Sequence, residues 1–401
     1  MNIKEFVLFK KRELLQFCIY RLIFGISYSF MIPAIPLFFN SIGIATTIIG
    51  VVMSLYGVSK ALAQIPFGFV SDKIGDKLLL IIAVGLMAFI PMGYVFFNTK
   101  LLVSGVYVLQ GAILGMAAPA TVSILARSLD ESKRGECTGF ASAVFTLGGG
   151  IGAAIAGFII SKFGNYNTVF YITSIGILLT FLFIIFRIKK SNISDSKKKN
   201  NKKGIKLIIN DIKEYKLGYK IVLLSFIAML GDFIYGCVVS IFPFYGKEVL
   251  GASVGYISII ISLYLFIFGF GAPLAGWVSD KIGNKKQLYL SFIVMNLTLF
   301  TLSLIRTKIL FATIIIVYFL GATFLNASLQ SLLSEFGENE NIKGIVFGVV
   351  GASESIGYAI GPIASAYIYE LNKNWLFLGL LIVSILVLGI YHFLHKKAQI
   401  N

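Results

Sequence analysis

Apolar runs of about twenty residues or more alternate with short breaks of charged, Gly or Asn residues along this chain of 401 residues. The runs fall near 14–39, 46–70, 78–97, 101–126, 137–161 and 167–187, then 219–245, 253–278, 287–305, 309–333, 344–369 and 374–394. None shows the period-2 alternation of a barrel strand, and each is long enough for a helix to cross a bilayer core of about 30 Å. In hydrocarbon there is no water to satisfy backbone groups, so runs of this kind must be helical. The pattern predicts an all-α polytopic membrane protein with about twelve transmembrane helices.

One break is far longer than the rest. Between Arg187 and Lys220 the chain reads Lys-Lys-Ser-Asn-Ile-Ser-Asp-Ser-Lys-Lys-Lys-Asn-Asn-Lys-Lys, a polar, low-complexity stretch suited to an anionic membrane surface. It separates a six-span half at 1–187 from a second at 219–401, with a basic linker at 188–218. Within it, Ile205 to Tyr219 alternates apolar and basic residues, predicting a short helix lying on the membrane.

The two halves are copies. Gly68-Phe-Val-Ser-Asp72-Lys73-Ile-Gly75-Asp76-Lys77 after span 2 recurs 208 residues later as Gly276-Trp-Val-Ser-Asp280-Lys281-Ile-Gly283-Asn284-Lys285-Lys286 after span 8. Ser54-Leu-Tyr56 recurs as Ser262-Leu-Tyr264. Tyr28 and Pro36 match Tyr235 and Pro243, and Gly135, Gly139, Gly148 and Gly152 match Gly344, Gly348, Gly357 and Gly361. Six spans per copy give both copies one orientation, so a pseudo-twofold axis along the membrane normal should relate the two bundles. In the repeated turn, Gly68 and Gly276 allow close helix approach, Gly75 and Gly283 end a helix with positive φ, and Asp72 and Asp280 fix a negative charge at the membrane edge.

With two copied turns placed after the second helix of each half, the chain resembles the major facilitator superfamily of transporters over essentially its whole length, most nearly its drug and metabolite exporter branch. That resemblance implies no enzyme activity and no cofactor. It implies that Asp72 and Asp280 latch the start of helix 11 or helix 5 in the opposite half, and release it as the cavity changes sides. It also places Arg134, before Gly135, beside the helix 2–3 turn, so an Asp72–Arg134 contact is expected. The chain departs from the exporters twice. Span 5 carries Gly148-Gly-Gly-Ile-Gly152 without their Gly-Pro, which appears as Gly361-Pro362 in span 11. Tyr107 occupies the place of their helix-4 arginine, three residues before Gln110-Gly111.

Composition agrees with a membrane protein: 57% hydrophobic, 13% charged, mean hydropathy +0.88, against about a quarter charged in soluble domains. The net charge of +17 is explained by placement and not by nucleic acid. Of 35 Lys and Arg residues, 27 fall on the side shared by both termini and 6 on the other, which predicts cytoplasmic termini in the cell membrane. Cys18, Cys137 and Cys237 lie in apolar runs and are expected to pack, and His392 and His395 sit near the C-terminal membrane edge, so the spacing offers no metal set. A Lys/Glu-rich start and a long first run without a small-residue cleavage site predict a retained helix.

Ionisable residues inside spans are costly and mark function. There are four: Arg21, Lys60, Asp232 and Glu354. At about 1.5 Å per residue the last three share one level roughly 16–18 Å deep, where transporter sites lie, while Arg21 is shallower and able to snorkel. Helix 2 should face helix 11, so Lys60 and Glu354 are expected to pair across the seam, with Asp232 binding a proton or a cationic group. The alternative is that these charges satisfy one another permanently. Gln64, Gln110, Asn326 and Gln330, with Tyr28, Tyr56 and Tyr235, would line the cavity or serve as helix–helix glue. Lys60 aligns with Phe268, Glu354 with Phe145 and Asp232 with Gly25, so the charges break the repeat.

The reading is a secondary transporter working by alternating access, exporting a small amphipathic or cationic compound against protons. Its partners are that small molecule, the proton and the bilayer, and it acts as a monomer. Proton-coupled uptake of a sugar, nutrient or organic anion is the alternative, with Arg21 and Lys60 on the anion, and a non-transporting receptor is a third. No Gly-x-x-x-x-Gly-Lys-Ser/Thr phosphate loop occurs, nor any nucleophile–base constellation.

Overall fold

The computed structural model describes residues 12–128, 134–189, 218–334 and 340–400. Among these there is no strand. The N-terminal half contains α1 (Arg12–Ser29), α2 (Met31–Ser41), α3 (Thr46–Ile74), α4 (Asp76–Phe96), α5 (Lys100–Ser128), α6 (Arg134–Phe163) and α7 (Tyr166–Arg187). The C-terminal half contains α8 (Gly218–Ser240), α9 (Phe242–Glu248), α10 (Val254–Ile282), α11 (Asn284–Leu304), α12 (Lys308–Ser334), α13 (Glu340–Leu371) and α14 (Leu376–Ile400). Among the described residues eleven stretches are long and apolar enough by composition to cross a membrane, with α1 and α2 together making one of them. Helix α13, with its 32 residues, is about 48 Å long and needs no more to cross. Phe89, Leu101, Phe158, Phe186, Leu297 and Ile309 are exposed on the outside of the bundle, where lipid is the only favourable contact. Of the linker at 188–218, residues 190–217 lie outside the described residues, and so does its expected surface helix except for Gly218 and Tyr219, which begin α8.

Proline sets the break in the first span of each half. α1 stops at Ser29 because the Pro33 ring would clash with the carbonyl four residues earlier, and the helix restarts as α2. α8 stops at Ser240 for the same reason, with Pro243 in the first turn of α9.

The repeat is visible in the packing. α1 packs on α6 as α8 packs on α13, α3 on α5 as α10 on α12, and α4 on α7 as α11 on α14. The glycine ladders bring α1 onto α6 and α8 onto α13 at close range. A methyl at Gly148 would meet the carbonyl of Leu22 and one at Gly152 that of Ile26; their copies Gly357 and Gly361 would meet Met229 and Phe233 in the same way. Each ladder therefore seats helix backbone on helix backbone, the approach that small residues permit in lipid.

The two copied turns are also alike. Gly75 (φ 91°) and Gly283 (φ 89°) each end a helix and start the next with a single intervening residue, a conformation side chains resist. Ser71 Oγ donates to Asp76 Oδ1 at 2.5 Å, and its copy Ser279 donates to Asn284.

The halves meet along two seams, α6 against α10 and α3 against α13. Away from the copied turns both seams are tight. Gly50 abuts Ala366 in one; the copies Ser258 and Gly157 abut in the other, with the glycine on the opposite partner. Ser54 Oγ accepts from the Ile363 amide at 3.1 Å, and its copy Ser262 donates to the Gly150 carbonyl at 2.6 Å. Towards the turns the seams part. Gly68 is about three helical turns from Gly57 on nearly the same face, yet a methyl at Gly57 would strike Tyr358 and one at Gly68 would meet nothing within 4 Å. Gly276 likewise faces open space, whereas Gly269 lies against Leu147. The close approach expected at Gly68 and Gly276 is absent in this conformation because the halves splay at that end.

Candidate functional site

Between the halves, where the seams begin to part, lies a cavity of about 310 Å³. Its first wall comes from the N-terminal half: Tyr28 on α1, Tyr56 and Lys60 on α3, Tyr107 and Gln110 on α5, and Phe145 on α6. Opposite stand Asp232 and Tyr235 on α8, Tyr264 and Phe268 on α10, and Tyr358 on α13. Six tyrosines thus surround one carboxylate and one ammonium.

Helix contacts hold each charged group in place. Lys60 sits on α3 where Gly115 of α5 presses its backbone against the Lys60 carbonyl. Asp232 and Tyr235 are three residues apart on one face of α8, so both reach the cavity. Lys60 interacts electrostatically with Asp232 and with Glu354, across a longer gap than a direct ion pair. Glu354 is not part of the cavity wall; it lies one turn from Tyr358 along α13, on the side of the copied turns, and is half-buried. Arg21 lies behind the wall, its guanidinium 4.1 Å from the ring centre of Phe145. That cation–π contact gives the half-buried cation a partner without opening it to the cavity.

Tyr28, Tyr56 and Tyr94 are tied by a hydrogen-bonded chain through Gln110. Tyr94 donates to Gln110 Oε1 at 2.6 Å, Gln110 Nε2 donates to Tyr28 Oη at 3.1 Å, and Tyr28 and Tyr56 share a 2.6 Å bond. Tyr56 also stacks on Tyr107, with ring centres 4.7 Å apart. In the other half Tyr235 stacks on Tyr264 at 5.6 Å, and Tyr358 lies 5.8 Å from both Tyr235 and Tyr56, bridging the halves.

Of the residues expected to line a site, the cavity takes Lys60, Asp232, Gln110, Tyr28, Tyr56 and Tyr235. Gln64 and Asn326 are half-buried away from it, and Gln330 is exposed. The side chains of Asp72 and Arg134 lie outside the described set, so the expected contact between them does too. Asp280 and Lys73 are exposed at the open end, where Lys281 lies 3.7 Å over the Trp277 ring. A contact that the motif did not point to occupies that end: Asp76, at the start of α4, pairs with Arg127 at the end of α5. Tyr107, Tyr264, Tyr358, Phe145 and Phe268 were also missed as cavity residues. Four of the five had a trace in the sequence, since Tyr107 replaces an expected arginine, Tyr264 copies Tyr56, and the two phenylalanines copy Glu354 and Lys60.

A profile described as the Major Facilitator Superfamily matches residues 17–342. The "Multidrug resistance protein MdtG" of Klebsiella pneumoniae (strain 342) is 24% identical over 375 residues, covering 90% of this chain and 87% of that one. The protein of the same name from Escherichia coli (strain K12 / DH10B) is 25% identical over 374 residues, covering 90% and 88%. Among solved structures, a point mutant of the nucleoside transporter NupG superposes with a TM-score of 0.74 at 16% identity, covering 95% of this chain and 99% of that one. A bacterial homologue of the human lysosomal transporter Spinster, inward-facing and unoccupied, gives a TM-score of 0.75 at 13% identity, covering 96% of each.

Proposed function

We propose that this chain, which belongs to the Major Facilitator Superfamily, exports a small cationic or amphipathic compound across the cell membrane in exchange for protons. The observation that carries this reading is the cavity wall itself: a single carboxylate, Asp232, among six tyrosine faces. Aromatic faces and a carboxylate attract a desolvated organic cation. Relatives named as multidrug resistance proteins support the same direction.

The coupling logic is electrostatic. Lys60 on one half and Asp232 on the other attract when both are charged, and Glu354 adds a second carboxylate close by. Lys60 can offset only one of the two carboxylates, and an unpaired charge inside a membrane protein is costly to enclose, so the halves close around the site most readily when Asp232 carries either a proton or a cation. The two ligands compete for one group, which is exchange. With the basic turns in the cytoplasm, as the Lys and Arg bias predicts, the cavity opens inward and both termini are cytoplasmic. The halves 1–187 and 219–401 act as the moving bodies, and one chain holds the whole cavity, so a monomer suffices.

Everted membrane vesicles test this. An acid-inside gradient should drive accumulation of ethidium, a planar aromatic cation, and an uncoupler should abolish it. Asp232→Asn should lower the driven uptake at least about tenfold, the effect of losing roughly 1.4 kcal/mol or more of cation binding, and Glu354→Gln should alter its pH dependence. If both variants transport as the parent does at every pH, the coupling assignment is wrong. Lys60 in the wall favours the second reading, uptake of an anion. Gradient-driven accumulation of an organic anion in right-side-out vesicles, with none of ethidium in everted ones, would replace export by that reading.

A further inference from the structure

The two halves line the cavity with copied tyrosines that are used differently. Tyr28 and Tyr56 bond each other, and Gln110, itself held by Tyr94, bonds Tyr28. Their copies Tyr235 and Tyr264 stack with ring centres 5.6 Å apart. Among the described residues neither of these two hydroxyls has a hydrogen-bond partner. The reason lies on α12. The copy of Gln110 is Tyr318, which has no carboxamide to offer and whose own buried hydroxyl has no partner among the described residues. Leu302 stands where Tyr94 has its copy, so the anchoring chain is missing altogether.

Buried polar groups are almost always satisfied, and a hydroxyl that is not must find its partner in water or ligand. Tyr235 and Tyr264 open on the cavity beside Asp232, within its electrostatic reach. We infer that substrate is read by this C-terminal patch, in which Asp232 takes the positive charge and the two unpaired hydroxyls take polar N–H or O–H groups of a flat aromatic cation. Across the cavity Tyr28 and Tyr56 form a fixed wall, their hydroxyls already bonded to each other and to Gln110. The favoured substrates are aromatic cations that carry hydrogen-bonding groups, over those that carry none. This rests on the cationic-substrate reading above and adds to it the residues that select.

Equilibrium binding to the purified chain tests the assignment with two probes. Ethidium bears two primary amino groups; tetraphenylphosphonium is an aromatic cation without any hydrogen-bonding group. In the Tyr235→Phe/Tyr264→Phe variant the ethidium Kd should rise about tenfold, the effect of two modest hydrogen bonds, while that of tetraphenylphosphonium stays within about twofold. The thermal midpoint should hold, since neither hydroxyl has a protein partner to lose. Tyr28→Phe should lower the midpoint and leave the ratio of the two Kd values unchanged. A second measurement needs no variant: the phenanthridinium lacking both amino groups should bind the parent protein about tenfold more weakly than ethidium does. Equal losses for both probes, no loss, or a selective ethidium loss in Tyr28→Phe instead would each overturn the inference while leaving export intact. A parent protein that binds neither probe overturns the cationic-substrate reading and this inference with it.

Discussion

Asp76 is the charged residue with the clearest structural task. It begins α4, where the helix dipole favours an anion, accepts from Ser71 at 2.5 Å and pairs with Arg127, which is about half exposed while Asp76 is nearly buried. Removing it leaves a buried serine hydroxyl and a helix start without their partners. Asp76→Ala should therefore cost about 2 kcal/mol, read as a lower thermal midpoint in detergent. Asp76→Asn copies what the other half has at Asn284, keeps the Ser71 bond and loses only the ion pair, so its loss should be smaller. Equal losses in the two variants would mean that the ion pair dominates and the serine bond contributes nothing. At this scale the sequence is only partly readable. Asp232 and Lys60 stand out because charge in an apolar run has few bland explanations. Tyr264 and Tyr358 do not, because an aromatic in such a run looks like packing until its neighbours are known. Asp76 reads as one of several loop charges, and nothing in its spacing points to Arg127 some fifty residues away.

Helix by helix, the glycines divide into two kinds that share one sequence pattern. Gly152 and Gly361 press on carbonyls within their own half, so any added side chain pushes backbone against backbone. Gly152→Val and Gly361→Val should each destabilise by about 3 kcal/mol and lower the yield of folded protein. Gly68 and Gly276 face open space in this conformation. Gly68→Val should leave the thermal midpoint within a degree or two of the parent, in line with substitutions that touch nothing. Its transport should nonetheless fall, because closing the halves at that end brings the same face of α3 against α13. A Gly68→Val protein that transports normally would show that closure does not use this face. The copied pattern itself is legible: span positions match the helices to within a few residues, and Gly148, Gly152, Gly357 and Gly361 mark the tight pairs within each half. Helix breaks at Phe30 and Ile241 are less so, since a proline in a membrane helix bends, breaks or is absorbed depending on its neighbours.

Over the whole molecule, the proposed alternating access makes this structure one member of a pair of states, and which member it is cannot be read from any single span. Hydrophobic runs are equally long in either state, and the repeat is equally exact. What distinguishes the states is where the seams touch. Here they touch at the end remote from the copied turns, and Ser54 and Ser262 place one hydrogen bond across each seam there, to Ile363 and to Gly150. Both serines are buried, so neither bond is replaced by bulk water while that end stays shut. Opening it breaks both together. A net contribution of about 1 kcal/mol per bond gives roughly 2 kcal/mol in favour of the present state, a factor of about 30 in the equilibrium. Ser54→Ala with Ser262→Ala should remove that preference and populate the reverse conformation. Spin labels at Asn165 and Thr307, in loops of opposite halves at the closed end, would report it as a second, longer distance in pulsed electron resonance. The single variants should fall between parent and double variant, since the two seams are separate and their effects add. If the double variant keeps one short distance, the seams are held by packing at Gly50–Ala366 and Gly157–Ser258 alone, and the serines are passengers of that contact.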